Sequence, residues 1–322
     1  MKNKLIFFEG QPGSGKSSLS QYIFKQINLN NKSVYWMDEY EQNNIQFKDF
    51  WKEYNNPTDK DIIDILINCW IDLIKRVKNT EKKFILDSAL FSYSLYLKSL
   101  EIPEERINKY FNRIENLLKE LNPKVIFLYG DTEKVVSRAC SRRGENWTKY
   151  TIKDINSSPY QRKRNRTGFK GMLEYFKDGQ ILYKNIASNM DFPILHIDIT
   201  NEKWKEDELK VLKWLGYDKI ENTHYLPKEL LNKYVGKYKV SKDFPVKDEK
   251  LYIELDKGQL ILKGTYWEDY KLKPQTDTYF HIQGIPMYID FKIDKGKVIG
   301  FNYTFIDRLT YYCFKISDYY NI

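Results

Sequence analysis

The sequence predicts an α/β fold, a parallel sheet flanked by helices, followed by a small antiparallel β-barrel-like domain. Three observations carry this. Short apolar runs alternate with amphipathic stretches over the amino-terminal part of the chain, as in strand-helix-strand units. Beyond about residue 222 the hydrophobic period changes from helical to alternating. A glycine-rich run, Gly10-Gln11-Pro12-Gly13-Ser14-Gly15-Lys16-Ser17, separates the first apolar strand from the first amphipathic helix.

The elements follow in order. Leu5-Ile6-Phe7-Phe8 reads as a strand, a helix starts at Lys16, and Val34-Tyr35-Trp36 is the second strand. Ile62, Ile63, Ile65, Leu66, Cys69, Trp70, Leu73, Ile74 and Val77 recur at helical spacing over Asp61 to Lys78, ahead of a third strand at Phe84-Ile85-Leu86. Pro103 with Glu104 and Glu105 begins a long helix that Asn122-Pro123 ends. Val125-Ile126-Phe127-Leu128 and Ile194 to Asp198 are the next strands, and a helix from Trp204 to Trp214 stops at Gly216. In the tail, Asp256-Lys257-Gly258 and Asp294-Lys295-Gly296 each lie between apolar strand candidates, which predicts two hairpins with glycine at positive φ. The expected domains are 1–220 and 223–322, the second all-β with about eight strands.

Composition bounds the function. A chain of 322 residues with 42% hydrophobic and 16% aromatic residues buries one large or two modest cores, which excludes a disordered or fibrous protein. With no run of eighteen apolar residues and a mean hydropathy of -0.64, no membrane span is expected. Cys69, Cys140 and Cys313 stand far apart, which argues against a disulfide framework or structural zinc and for a cytoplasmic setting. His196, His224 and His281 are too scattered for a metal triad or a catalytic relay. The net charge of +9 is concentrated in 138–170, where ten Lys and Arg face two acids. The twenty aromatics from Thr223 onward fit packing and assembly through the β-domain better than a ligand cavity.

The glycine-rich run carries the chemistry. Gly10, Gln11, Pro12, Gly13, Ser14, Gly15, Lys16, Ser17 and Ser18 form the expected nucleotide-binding segment, whose glycines let backbone N–H groups turn inward and whose helix amino terminus is aimed at the phosphates. Lys16 would reach the β and γ phosphates of ATP, and the Ser17 hydroxyl would bind Mg²⁺. Asp38 and Glu39 follow the second strand and are candidates to orient or deprotonate an acceptor hydroxyl. Asp87, ending the third strand, is a candidate to hold Mg²⁺ through water or to contact the substrate. Arg138, Arg142 and Arg143 open the basic region of 138–170, after a strand expected to end at Asp131, and are candidates for a mobile flap over the γ phosphate. Arg162, Arg164 and Arg166, near Gly168 and Gly171, form a candidate second anion site.

Phe8-Glu9-Gly10-Gln11-Pro12-Gly13-Ser14-Gly15-Lys16-Ser17, the Asp38-Glu39 pair, the strand to Asp87 and Arg142-Arg143-Gly144-Glu145-Asn146-Trp147 resemble the P-loop nucleoside and nucleotide kinase superfamily. Within it, the start resembles bacterial thymidylate-kinase-like proteins, and the likeness spans about residues 1 to 216. It implies a P-loop kinase-type sheet with an arginine-bearing lid over ATP. The chain departs from true thymidylate kinases at Asp87-Ser88-Ala89, where the family carries a phosphate-contacting arginine. Tyr234-Val235-Gly236-Lys237-Tyr238 resembles the start of the lipocalin-like β-domain appended to some bacterial hydrolases.

Together these point to an ATP- and Mg²⁺-dependent phosphotransferase acting on a hydroxyl of a small acceptor, a nucleoside-like metabolite or antibiotic. Two other functions compete with it. A polynucleotide 5'-hydroxyl kinase draws on the basic segment and the aromatics, with nucleic acid the less favoured partner. A nucleotide-gated binding protein would use ATP to arrange its domains without phosphoryl transfer.

Overall fold

A computed structural model of the chain describes residues 3–30, 32–221, 226–245, 250–265 and 269–317. Strand β1 (Leu5–Gly10) leads through the glycine loop into α1 (Lys16–Leu29) and β2 (Val34–Met37). Helix α2 (Glu39–Glu41) runs into a π turn over Gln42–Gln46 and then α3 (Lys48–Asn55). Helix α4 (Ile62–Lys78) returns to β3 (Lys83–Asp87), and α5 (Ser92–Ser99) and α6 (Glu104–Leu118) precede β4 (Lys124–Tyr129). Helices α7 (Thr132–Asn156), α8 (Pro159–Lys163) and α9 (Gly168–Asn189), strand β5 (Ile194–Asp198) and α10 (Trp204–Leu215) complete this part.

The strands form a five-stranded sheet in the order β2-β3-β1-β4-β5, all pairs parallel. Every residue of β1 is buried, as expected of a central strand covered by helices on both faces. Local chemistry sets the boundaries. The Asp61 carboxylate accepts the Ile63 N–H at 2.9 Å and caps α4, and Gly216 at φ 80° ends α10. β4 stops at Tyr129, two residues short of the expected Asp131, because the Asp131 carboxylate instead caps α7 by accepting the Lys134 N–H at 2.9 Å.

After α11 (Lys228–Asn232) come β6 (Gly236–Val240), β7 (Lys250–Asp256), β8 (Gln259–Lys263), β9 (Tyr270–Pro274), β10 (Tyr279–Ile282), β11 (Tyr288–Asp294), β12 (Lys297–Thr304) and β13 (Thr310–Ser317). Each pairs antiparallel with its chain neighbour, and β13 pairs with β6 to close an eight-stranded barrel. Closure removes every free sheet edge. Both expected hairpins are present, and their two-residue turns place Lys257 and Gly258 at φ 46° and 78°, and Lys295 and Gly296 at 48° and 77°. Positive φ at both central positions matches the right-handed strand twist. Inward-facing Tyr238, Phe280, Phe291, Phe301 and Tyr303 are fully buried, and Tyr234 stacks on Phe291 with ring centroids 4.2 Å apart. Much of the tail's aromatic excess therefore packs the barrel core.

The chain divides into two units, one of Met1–Ala139 with Lys149–Ile220, the other of Cys140–Thr148 with Glu221–Ile322. Helix α7 is broken at Gly144, whose φ of 83° and ψ of 178° no L-residue adopts readily. No helix among the described residues is long and apolar enough to cross a membrane. His224 lies outside the described residues.

Candidate active site

The glycine loop is shaped by conformation and by close neighbours. Gly13 and Gly15 adopt φ of 86° and 85°. A Cβ on Gly13 would lie 2.2 Å from the Val135 carbonyl oxygen, and one on Gly15 would lie 2.9 Å from the Trp204 ring. Only glycine meets both demands. The turn is closed by the Ser14 N–H, which donates to the Gln11 carbonyl at 3.0 Å. Gln11 Nε2 donates to the Phe176 carbonyl of α9, tying the loop to the helix layer. Lys16 is buried at the start of α1, and the Ser14 hydroxyl is buried without a partner among the described residues. Pro12 and Ser18 are half-buried beside them.

Arg138 anchors this loop. Its Nε donates to the Gly13 carbonyl at 3.0 Å, its Nη1 pairs with Glu202 at 2.8 Å, and the guanidinium lies 5.0 Å from the Trp204 ring centre. These three contacts hold the Arg138 guanidinium against the glycine loop. Arg142 is exposed, Arg143 lies over the Trp147 ring at 4.7 Å, and both belong to the second unit. The expected second anion site is corrected. Arg164 and Lys163 pair with Glu101, Arg166 pairs with Glu174 at 2.9 Å and with Asp178, and Arg162 donates to the Ser157 carbonyl. Neighbouring carboxylates, distant in sequence for Glu101, take up the charge of three of these four cations.

Three carboxylates stand at the carboxyl ends of β2 and β3. The register Met37 to Leu86 sets Asp38 beside Asp87 on adjacent strands. Asp38 is buried and its Oδ1 accepts the N–H groups of Tyr40 and Glu41 at 3.0 and 3.1 Å, so it caps α2. Glu39, the next residue, is exposed. Asp87 is 2% exposed, and its Oδ1 has no hydrogen-bond partner among the described residues. Burial raises its pKa to about 7; Lys16 pulls it down, Glu39 pushes it up, the Ser17 hydroxyl pulls it down and Asp38 pushes it up. Lys16, Ser17, Asp38, Glu39 and Asp87 thus share one electrostatic neighbourhood.

An orphaned carboxylate oxygen beside a hydroxyl suits a hard cation such as Mg²⁺, and a glycine cradle with a buried lysine suits a polyphosphate. Among the described residues no group of three His, Cys, Asp or Glu could hold a metal. An ion between Ser17 and Asp87 would complete its coordination with phosphate oxygens and water.

Several residues of this neighbourhood escaped sequence reasoning. Gln42, in the π turn, donates from Nε2 to the Met37 and Asp87 carbonyls at 2.9 and 2.8 Å, bridging the two strand ends. π turns recur at functional sites, but nothing in the residue pattern announces one. Phe47, Phe50, Trp51 and Tyr54 meet Tyr93 and Tyr96 of α5 in one aromatic cluster, with Phe47 to Tyr93 at 4.5 Å and Trp51 to Tyr96 at 4.7 Å. Their helical spacing was a signal. Burial pushes the Tyr96 phenol far up, and Glu39, Tyr54 and Asp154 push it the same way, which puts this cluster next to the strand-end carboxylates. Glu9 was visible as the carboxylate directly after the apolar run Leu5-Ile6-Phe7-Phe8; it accepts the N–H groups of Ala89, Leu90 and Phe91.

No family model matches the chain, and no curated protein matches it. Among solved structures it is similar to deoxyadenosine kinase from M. mycoides with bound dCTP, at 20% identity and a TM-score of 0.40, over 66% of this chain and 98% of that one. The same kinase with bound dATP matches at 20% identity and 0.40 over the same shares. With products dCMP and a flexible dCDP bound it matches at 19% and 0.37, over 66% of this chain and 97% of that one.

Proposed function

We propose that this chain is an ATP- and Mg²⁺-dependent phosphotransferase that phosphorylates a hydroxyl of a small, nucleoside-like acceptor. The observation that carries the proposal is the buried Asp87 oxygen, unpartnered among the described residues, beside Ser17 and Lys16 at the glycine loop. Lys16 neutralises the β and γ phosphates, while the loop N–H groups orient them. Ser17 and Asp87 would hold Mg²⁺, which when bound offsets charge on the transferring group. Glu39 accepts the proton of the acceptor hydroxyl, since it is exposed at the strand end whereas Asp38 commits Oδ1 to capping α2. Trp51 and Tyr96, half-buried and packed edge to face over the buried Tyr93, offer apolar surface for an acceptor ring. Carboxylates at Asp38, Glu39 and Asp87, with Ser88 following, disfavour an acceptor that already bears phosphate.

The test is transfer of labelled γ-phosphate from ATP to nucleosides, nucleotides, sugars, antibiotics and 5'-hydroxyl oligonucleotides. An unphosphorylated acceptor is labelled by the native protein, and Lys16→Ala lowers the rate by roughly a hundredfold or more. ATP binding with no transfer to any acceptor, or transfer unaffected by Lys16→Ala, refutes the proposal.

A further inference from the structure

Glu9 precedes the glycine loop, yet none of its hydrogen bonds are made within it. Its side chain is fully buried. Oε1 accepts the Ala89 and Leu90 N–H groups at 3.0 and 2.7 Å, and Oε2 accepts the Phe91 N–H at 3.1 Å. These three successive donors lie between Asp87, the last residue of β3, and Ser92, the first of α5. They have no other outlet, because Ala89, Leu90 and Phe91 are themselves fully buried and water does not reach them.

The segment they belong to bends at Ser88. Ser88 adopts φ 67°, a left-handed conformation unfavourable for a residue with a Cβ, and its N–H donates to the Phe8 carbonyl at 2.8 Å. Chain 88–91 is thus held on β1 at two adjacent points, by the Phe8 backbone and the Glu9 side chain. Upstream it carries Asp87; downstream it carries α5 with Tyr93 and Tyr96. A carboxylate spanning three amides costs its desolvation but determines where both neighbours sit, because each N–H is strongly directional.

We infer that Glu9 is a positioning residue that locks the turn after β3, and through it aligns Asp87 and the Tyr93–Tyr96 wall with the phosphate loop. It acts through backbone amides and touches neither substrate. The kinetic part of this inference rests on the phosphotransferase activity proposed above; the structural part does not.

Glu9→Gln and Glu9→Ala are compared with the native chain by amide hydrogen exchange, ATP binding and phosphoryl transfer. A glutamine amide presents N–H where Phe91 or Leu90 also presents N–H, so two donors meet and the lock opens at near-constant volume. In Glu9→Gln, exchange at Ala89, Leu90 and Phe91 rises about tenfold or more. The ATP Kd stays within about threefold, since Lys16 and the glycines are unchanged, while kcat falls about tenfold or more. A residue serving only bulk stability would move the unfolding midpoint and leave this split between Kd and kcat absent. Unchanged exchange at 89–91, or unchanged kcat in an active enzyme, overturns the inference. Should Glu9→Ala fail to fold, Glu9→Gln decides alone. Should the native protein transfer phosphate to nothing, the proposed activity falls, and the exchange rates still decide whether Glu9 holds the turn.

Discussion

Glu9 and Asp87 are carboxyl groups that burial drives up to about 7, from ordinary values of 4.5 and 3.8. For Glu9, burial outweighs the three backbone N–H groups and Lys16, which pull the other way. A carboxyl with a higher pKa folded than unfolded binds its proton more tightly in the folded state. Its contribution to stability is complete below the unfolded value of 4.5 and is lost as pH rises through about 7. The loss for Glu9 is on the order of 3 kcal/mol as an upper bound. Urea unfolding of the unliganded protein at several pH values between 4.5 and 7.5 should show stability falling with pH. Glu9→Gln, which cannot ionise, should fall less steeply; parallel profiles would remove burial of Glu9 as the cause. The motif position of Lys16 is legible in sequence, but its burial beside Asp87 and Glu9 requires β1 and β3 to be adjacent.

Among the elements, those bounded by strong local signals are legible and those bounded by tertiary contacts are not. Asp61 before Ile62, Pro103 before Glu104 and Gly216 after Leu215 are chemical punctuation, and the helices start and stop there. Helix α9 carries glycines at 168, 171 and 179, residues that ordinarily weaken a helix. Gly179 lets α9 pack close on α5, since a Cβ there would lie 2.9 Å from a Leu95 methyl and that side chain would have to shift. The barrel contains a parallel case. A Cβ at Gly300 of β12 would lie 2.4 Å from the Cys313 carbonyl and 2.6 Å from the Tyr312 hydroxyl. Gly300→Ala should therefore force β12 and β13 apart and destabilise the barrel by about 2 kcal/mol or more. Thermal unfolding followed by tyrosine near-UV circular dichroism checks this, and an unchanged midpoint would show that the strands give way freely.

At the scale of the whole molecule, the described residues of the sheet unit and of the barrel unit hold separate apolar clusters. One joins α1, α10 and a face of the parallel sheet through Ile23, Ile27, Ile126 and Val211; the other fills the barrel with Tyr238, Phe280, Phe301 and Tyr303. Separate cores predict separate cooperative transitions. Calorimetry should resolve two, and ATP with Mg²⁺ should raise only the one belonging to the sheet, by linkage to binding. A single transition that shifts as a whole with ATP would show that the two units unfold together.

The sequence by itself determined what depends on near neighbours along the chain. The glycine-rich loop, the strand-helix alternation, the change of period near residue 222 and the Asp-Lys-Gly hairpins are all of this kind, because positive φ and side-chain periodicity are local properties. Tertiary structure alone decided which charges are held and which are committed elsewhere. Arg138 became an anchor through Glu202 and Trp204, Arg164 and Arg166 were taken up by ion pairs, and Asp87 was buried with an oxygen to spare. The physical reason is that desolvation and Coulomb interaction depend on distance in space, and the deciding partners lie tens of residues apart in the chain.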